Sequence, residues 1–284
     1  MRNLDRHNWG RRYLMCRPDH FTVEYAINPW MTPDDPVNPA LAMEQWQSLV
    51  ATIEAAGGTV ETIAGHPMLP DMVFTANLGV VADGIFVPAS MHHAERAGEP
   101  ELASRWASRN GFSVLPITDE AGSFEGMGDA LPFSGRLLAG TGPRSAASAW
   151  TALTAATGWP VTAIELTDER FYHVDLVFSP LDERHALVAP MGLTSAGLET
   201  ITAMVENPIL LTDEEAMAFS ANSIVVGDTV IMPACSPRLR GEVERAGFAV
   251  HTVDVGEFLK AGGAVRCLTL PLDVRLETPL SQTA

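Results

Sequence analysis

Apolar and polar positions along this chain fall in blocks, and the blocks recur. The stretches NLGVVADGIFVPAS (77–90), DALPFSGRLLAGTG (129–142), DLVFSPLDERHALVAPMG (175–192) and NSIVVGDTVIMPAC (222–235) each read as an apolar strand, a polar turn and a second apolar strand. The turn residues Asp83-Gly84, Ser134-Gly135, Asp182-Glu183 and Gly227-Asp228 are of types that suit tight hairpins. A helical candidate follows each hairpin: GEPELASRWASRNG, RSAASAWTALTAATG, TSAGLETITAMVE and SPRLRGEVERAG. One short β-rich run then closes each unit: FSVLPI, PVTAIEL, NPILLT and FAVHTVDV. Gly111, Gly158 and Gly247 mark where the chain leaves its helices.

A fifth copy is split between the termini. RCLTLPL (266–272) supplies its first strand, RYLMCRP (12–18) its second, residues 39–57 its helix and TVETIA (59–64) its closing strand. Such a split closes a ring. The pattern predicts an α/β fold of five ββαβ modules around a pseudo-fivefold axis, a single catalytic domain over 1–284 whose last module is closed by the N- and C-terminal strands. The alternative is a doubly wound α/β sheet, since strand–helix alternation also fits that fold.

Aligning the modules at the start of their first strands brings Asn77, Asp129, Asp175, Asn222 and Cys267 into register, and every one is polar. Polar side chains at the mouths of apolar strands are costly unless they converge on a shared wet cavity. In FYHVDLVF, His173 precedes Asp175 by two residues, and the period of a strand puts both on one face. Glu125 in FEGMGD lies just upstream of a neighbouring first strand, within reach of that imidazole. Cys267 sits in GGAVRCLTL, where Gly262-Gly263 admit close backbone approach and Arg266 adds positive charge that favours a thiolate. Cys16 and Cys235 read as small buried hydrophobes, and His92-His93 as an exposed loop.

Composition narrows the function classes. Eighteen basic against thirty-five acidic residues give a formal charge of −17, which repels phosphate backbones and anionic membranes and favours cationic small molecules. Nucleic acid and membrane are therefore excluded as partners. Three cysteines without CxxC or ligand spacing support neither a disulfide framework nor a metal site. The N-terminal stretch MRNLDRHNWGRRYLM lacks the apolar core of a secretory signal, so the expectation is a soluble cytoplasmic protein. Oligomeric state is not readable; a homo-oligomer is compatible with everything above.

The motifs CRPDHF, NPWM, PDMVFTANLG, FEGMGDAL, TGPRS, FYHVDLVF, FSANS and GGAVRCLTL, in this order, resemble those of the guanidino-modifying superfamily. That superfamily comprises arginine deiminases, amidinotransferases, dimethylargininases and arginine dihydrolases, and the resemblance covers nearly the whole chain. It implies a five-module propeller in which Cys267 attacks a guanidinium carbon, His173 serves as general acid and base, and Glu125 supports His173. It also implies that Asp175 accepts hydrogen bonds from guanidinium nitrogens and that Arg144 holds a substrate α-carboxylate, with Asn28 and Asn77 further substrate-binding candidates; Asn222 and Asp129 are candidates from their register in the modules. No metal or organic cofactor is implied.

One departure bears on the substrate. Dimethylargininases and deiminases carry an aspartate where this chain has Asn77, and the pair Asn28 and Asn77 is similar to the arginine dihydrolase branch. A neutral amide can bond a neutral ureido group as readily as a cation. The expected reaction takes arginine through citrulline to ornithine, carbon dioxide and ammonia. The alternatives are a deiminase or dimethylargininase that stops at citrulline, an amidinotransferase, or a non-catalytic binding propeller.

Overall fold

The computed structural model describes residues 9–117 and 121–276. Within them, fifteen strands form five three-stranded sheets with one repeated topology: first strand antiparallel to the second, second parallel to the third. In chain order the first four modules use β3 Gly79–Ala82, β4 Ile85–Pro88 and β5 Ser113–Val114; β6 Ala130–Phe133, β7 Arg136–Thr141 and β8 Val161–Glu165; β9 Phe178–Pro180, β10 His185–Val188 and β11 Asn207–Leu210; β12 Ile224–Val226, β13 Thr229–Met232 and β14 Ala249–Thr252. The fifth pairs β15 Leu270–Pro271 with β1 Arg12–Cys16, and β1 with β2 Thr59–Ile63, so the chain ends do close the ring. The five-module propeller holds and the doubly wound sheet does not.

Local chemistry explains why these residues form these elements. At the first two hairpin tips both central residues have positive φ, Asp83 and Gly84 in one and Ser134 and Gly135 in the other, the turn sense that matches strand twist. The third hairpin has a longer loop tied by Asp182, whose Oδ1 accepts from the backbone N–H groups of Arg184 and His185. Helices α1 Pro39–Ala55, α2 Glu99–Arg109, α3 Ala147–Thr157, α4 Ser195–Met204 and α6 Pro237–Arg245 link second to third strands. Asn38, Thr194 and Ser236 cap three of them through side-chain oxygens. Two short helices, α5 Asp213–Met217 and α7 Gly256–Leu259, have no counterpart in the sequence reading. The first strands β3, β6, β9 and β12 are buried at every position, which is why they read as continuous apolar runs rather than alternations.

The aligned polar residues do not begin strands. Each lies in a tight turn just before one, at Thr75–Leu78, Gly126–Asp129, Val174–Leu176, 219–223 and 264–269. These turns are laced into a ring. The Ala76 N–H donates to the Cys267 carbonyl, Asn77 Nδ2 to the Glu125 carbonyl, and the Val174 N–H to Asp129 Oδ1. Asn222 Nδ2 donates to the Asp175 carbonyl, while Asn222 Oδ1 accepts the N–H groups of Arg266 and Cys267 and so returns the ring to its start.

That ring corrects two expectations. Asp129 does not reach the cavity: its oxygens are taken by the Val174 N–H and the Ser145 hydroxyl, at 3.0 and 2.5 Å. Asn222 is a staple between modules that also donates to Cys267 Sγ at 3.1 Å, beneath the thiol. The period-two argument for His173 and Asp175 fails as well. His173 is extended, but the chain turns tightly over Val174–Leu176, so turn geometry and not a shared strand face directs the Asp175 side chain.

Candidate active site

The ring of turns surrounds a cavity of about 280 Å³ on which Cys267, His173, Asn77, Arg144 and Asn28 converge. Cys267 and Asp175 are buried, and Cys267 Sγ donates to Asp175 Oδ2 at 3.3 Å. The other carboxylate oxygen, Asp175 Oδ1, is buried without a hydrogen-bond partner. Burial pushes the Asp175 carboxyl up to about 7, against the opposing pull of Arg266. It also drives the Cys267 thiol well above the ordinary thiol range, and the Asp175 charge adds to that rise. The expectation that Arg266 favours a thiolate is not met: Arg266 is itself buried, over the Trp9 ring, and does not offset desolvation and a carboxylate neighbour.

His173 Nε2 meets Glu125 Oε2 at 2.7 Å. The same oxygen accepts from Arg144 Nη1 at 2.8 Å, and Glu125 Oε1 accepts the backbone N–H of His92. Burial by itself would raise Glu125, but the His173 bond and the charges of Arg144 and Arg96 outweigh it and hold this carboxyl well below the usual range. With Nε2 engaged, His173 Nδ1 is the ring nitrogen free for proton transfer. Arg144 also donates from Nη2 to the Ile27 carbonyl and lies over the Tyr172 ring, so its guanidinium is fixed at the cavity wall with donors to spare.

Asn77 uses both ends of its amide: Nδ2 donates to the Glu125 carbonyl at 3.3 Å and Oδ1 accepts from Arg96 Nη1 at 2.9 Å. Asn28 donates to the Ala261 carbonyl and accepts the Trp30 N–H, which pins the irregular segment before α1 across the cavity mouth. Gly262 and Gly263 make room for this packing. A methyl group at Gly263 would lie 2.2 Å from the Phe74 ring, and Gly262 has φ +78° with Asn28 and Tyr172 against it. Outside lies a vestibule of about 940 Å³ whose wall includes Arg144, Tyr172, Glu169, His92 and His93. The histidine pair is thus a surface loop, but one at the entrance.

Sequence reasoning missed Arg96, Glu99 and Asp71. Arg96 and Asp71 line the cavity, and Arg96 is gripped by Glu99 through two bonds of 2.9 and 2.7 Å. Asp71 Oδ2 accepts from the Tyr25 hydroxyl while Oδ1, buried, has no hydrogen-bond partner; burial raises this carboxyl as well. The signal for the ion pair was the R-x-x-E spacing in a polar loop, which ordinarily marks a solvated helix face, while Asp71 lay inside the PDMVFTANLG motif without being singled out. Among the described residues, no group of three or more His, Cys, Asp or Glu is arranged to hold a metal ion, and no helix is long and apolar enough to cross a membrane. Cys16 is buried as expected, whereas Cys235 is half-buried beyond the end of β13.

The family model for eukaryotic N,N dimethylarginine dimethylhydrolase matches residues 17–274. A dimethylarginine dimethylaminohydrolase of Mycobacterium tuberculosis is 37% identical over 262 residues, covering 92% of this chain and 86% of that protein. The bifunctional arginine dihydrolase/ornithine cyclodeaminase ArgZ of Synechocystis is 38% identical over 264 residues; the match covers 91% of this chain but 37% of that longer protein. Among solved structures, the substrate-bound N-terminal domain of a cyanobacterial ArgZ superposes with a TM-score of 0.89 at 36% identity, covering 94% of this chain and 99% of that domain. A dimethylarginine dimethylaminohydrolase adduct superposes at 0.76 with 21% identity, a likeness of fold.

Proposed function

Because the chain belongs to the dimethylarginine dimethylaminohydrolase family, we propose that it is a cytoplasmic arginine dihydrolase with Cys267 as nucleophile. The observation that carries this reading is the convergence of Cys267, His173 and the neutral amide of Asn77 on one buried cavity. Arginine and water give citrulline and ammonia; citrulline and water then give ornithine, carbon dioxide and ammonia.

The first half follows from the site's charges. A guanidinium entering beside Cys267 brings a positive charge near the thiol and its Asp175 partner, which opposes the electrostatics that keep Cys267 protonated. The thiol gives its proton to His173, and the thiolate adds to the guanidinium carbon. His173 gives a proton to the departing nitrogen, ammonia leaves, and an S-linked amidino intermediate remains. His173, now neutral, takes a proton from water, which attacks the same carbon; the C–S bond breaks and the ureido product forms. Glu125, bonded to His173 Nε2 at 2.7 Å, stabilises the imidazolium whenever it forms. At the amino-acid end, Arg144 and Arg96 offer guanidinium donors to the α-carboxylate and Asp71 Oδ1 an acceptor to the α-ammonium.

Incubating the pure protein separately with arginine, dimethylarginine and citrulline tests the reading. Ornithine from both arginine and citrulline supports it. Dimethylamine from dimethylarginine, with no ornithine from citrulline, would favour a dimethylargininase, the second reading, which rests on the 37% identity to the mycobacterial enzyme.

A further inference from the structure

The Asn77 amide has only one chemically acceptable orientation. Its oxygen faces Arg96 Nη1 at 2.9 Å, and a guanidinium offers five donors and no acceptor, so oxygen must point that way. The nitrogen correspondingly faces the Glu125 carbonyl at 3.3 Å. One of its two hydrogens is used there; the other is left for the cavity. The space it occupies exists because residue 128 is glycine: a methyl there would lie 2.3 Å from Asn77 Nδ2 and 3.3 Å from His173 Nδ1. The amide nitrogen and the acid–base imidazole therefore sit against the same bare backbone.

Arg96 cannot turn to release that oxygen. Its Nε and Nη2 are held by the two carboxylate oxygens of Glu99, and Nη2 also donates to the Asp71 carbonyl. Glu99 is fully buried and does not line the cavity. The chain Glu99–Arg96–Asn77 thus transmits a fixed orientation from outside the cavity to the reacting centre.

We propose that the Arg96–Glu99 pair is a specificity-determining device: it makes Asn77 present a donor, matched to the ureido oxygen of citrulline and not to a guanidinium, whose nitrogens carry only donors. This deepens the dihydrolase reading and rests on it. A carboxylate at position 77 would offer acceptors on both oxygens, which suit the cation and repel the ureido oxygen. The oriented amide does the reverse. It retains the first product beside His173, where the incoming water left its oxygen, and so commits citrulline to a second hydrolysis. Glu99 and Arg96 act in this respect as positioning residues, through Asn77.

The test compares kcat/KM for citrulline with that for arginine, so that any loss of grip on the shared amino-acid end cancels. In Glu99→Gln and Arg96→Lys proteins the citrulline-to-arginine ratio falls by about tenfold or more. An equal fall on both substrates overturns the proposal while leaving the dihydrolase reading intact. A wild-type protein that hydrolyses arginine but not citrulline removes the reading and the proposal with it. Because Glu99 is buried and its variant can fail to fold, a second measurement uses the Cys267→Ser protein. Its Asn77 side-chain amide resonance, assigned by its loss in the Asn77→Ser double variant, shifts with citrulline and not with ornithine. Citrulline binding that leaves both amide protons unmoved overturns the proposal.

Discussion

Cys267 Sγ stands 3.3 Å from Asp175 Oδ2 with both side chains buried, a thiol donating to a carboxylate. The Asp175 charge and burial both oppose the thiolate, burial more strongly. Replacing Asp175 by Asn removes the smaller obstacle. The midpoint for iodoacetamide alkylation of Cys267, followed by mass spectrometry against pH, shifts to lower pH in Asp175→Asn, yet stays above that of an exposed thiol because burial persists. A midpoint that is unchanged or raised contradicts this account of the pair.

Glu125 links acid stability to the site. Its folded-state pKa is depressed by His173, Arg144 and Arg96, so its contribution is present above the unfolded carboxyl value near 4.5 and is lost as pH falls toward the folded value. Asp175 works in the opposite direction. Its carboxyl is raised to about 7, so its contribution is greatest in acid and is lost as pH rises through about 4 to 7. Urea unfolding from pH 5 down to pH 3 therefore shows a shallower loss of stability in Glu125→Gln than in wild type, whereas Asp175→Asn flattens the change between pH 4 and 7.

Asn77→Asp exchanges the oriented amide for a carboxylate facing the same cavity. Arginine consumption persists, citrulline accumulates, and hydrolysis of added citrulline falls by about two orders of magnitude, the scale set by about 3 kcal/mol for a buried polar group left without its partner. Chromatography of products from arginine at long incubation checks this; ornithine formed at the wild-type rate contradicts it.

Gly263→Ala places a methyl into the Phe74 ring. The ring cannot withdraw without disturbing the cavity wall, so the variant is less stable by about 1–3 kcal/mol, as expected of an overpacked core. Thermal unfolding and KM for arginine, which rises in parallel, report it.

The modular fold was legible because each hairpin carries its own turn chemistry. Asp83-Gly84 and Ser134-Gly135 adopt the positive φ values that their residue types permit, and the buried first strands read as unbroken apolar runs. The split module was legible from the apolar runs near the two ends of the sequence, which pair as β15 with β1. The alignment of five polar residues was also real, but it mixed two causes. Asp129 and Asn222 spend their side chains on stapling adjacent turns, while Cys267 and Asn77 also face the cavity. A sequence register reports equivalent backbone positions and not which way the satisfied atoms point. Arg96 was invisible because its significance lies in tertiary burial: a surface-like R-x-x-E pair becomes a fixed fork once Glu99 is fully enclosed.

The central claim is that Cys267 forms the bond to the guanidinium carbon, and turnover of arginine by the Cys267→Ser protein tests it most directly. The account predicts a kcat lower by about three orders of magnitude or more with arginine binding retained. Turnover within about tenfold of wild type would contradict it and move the chemistry to another residue.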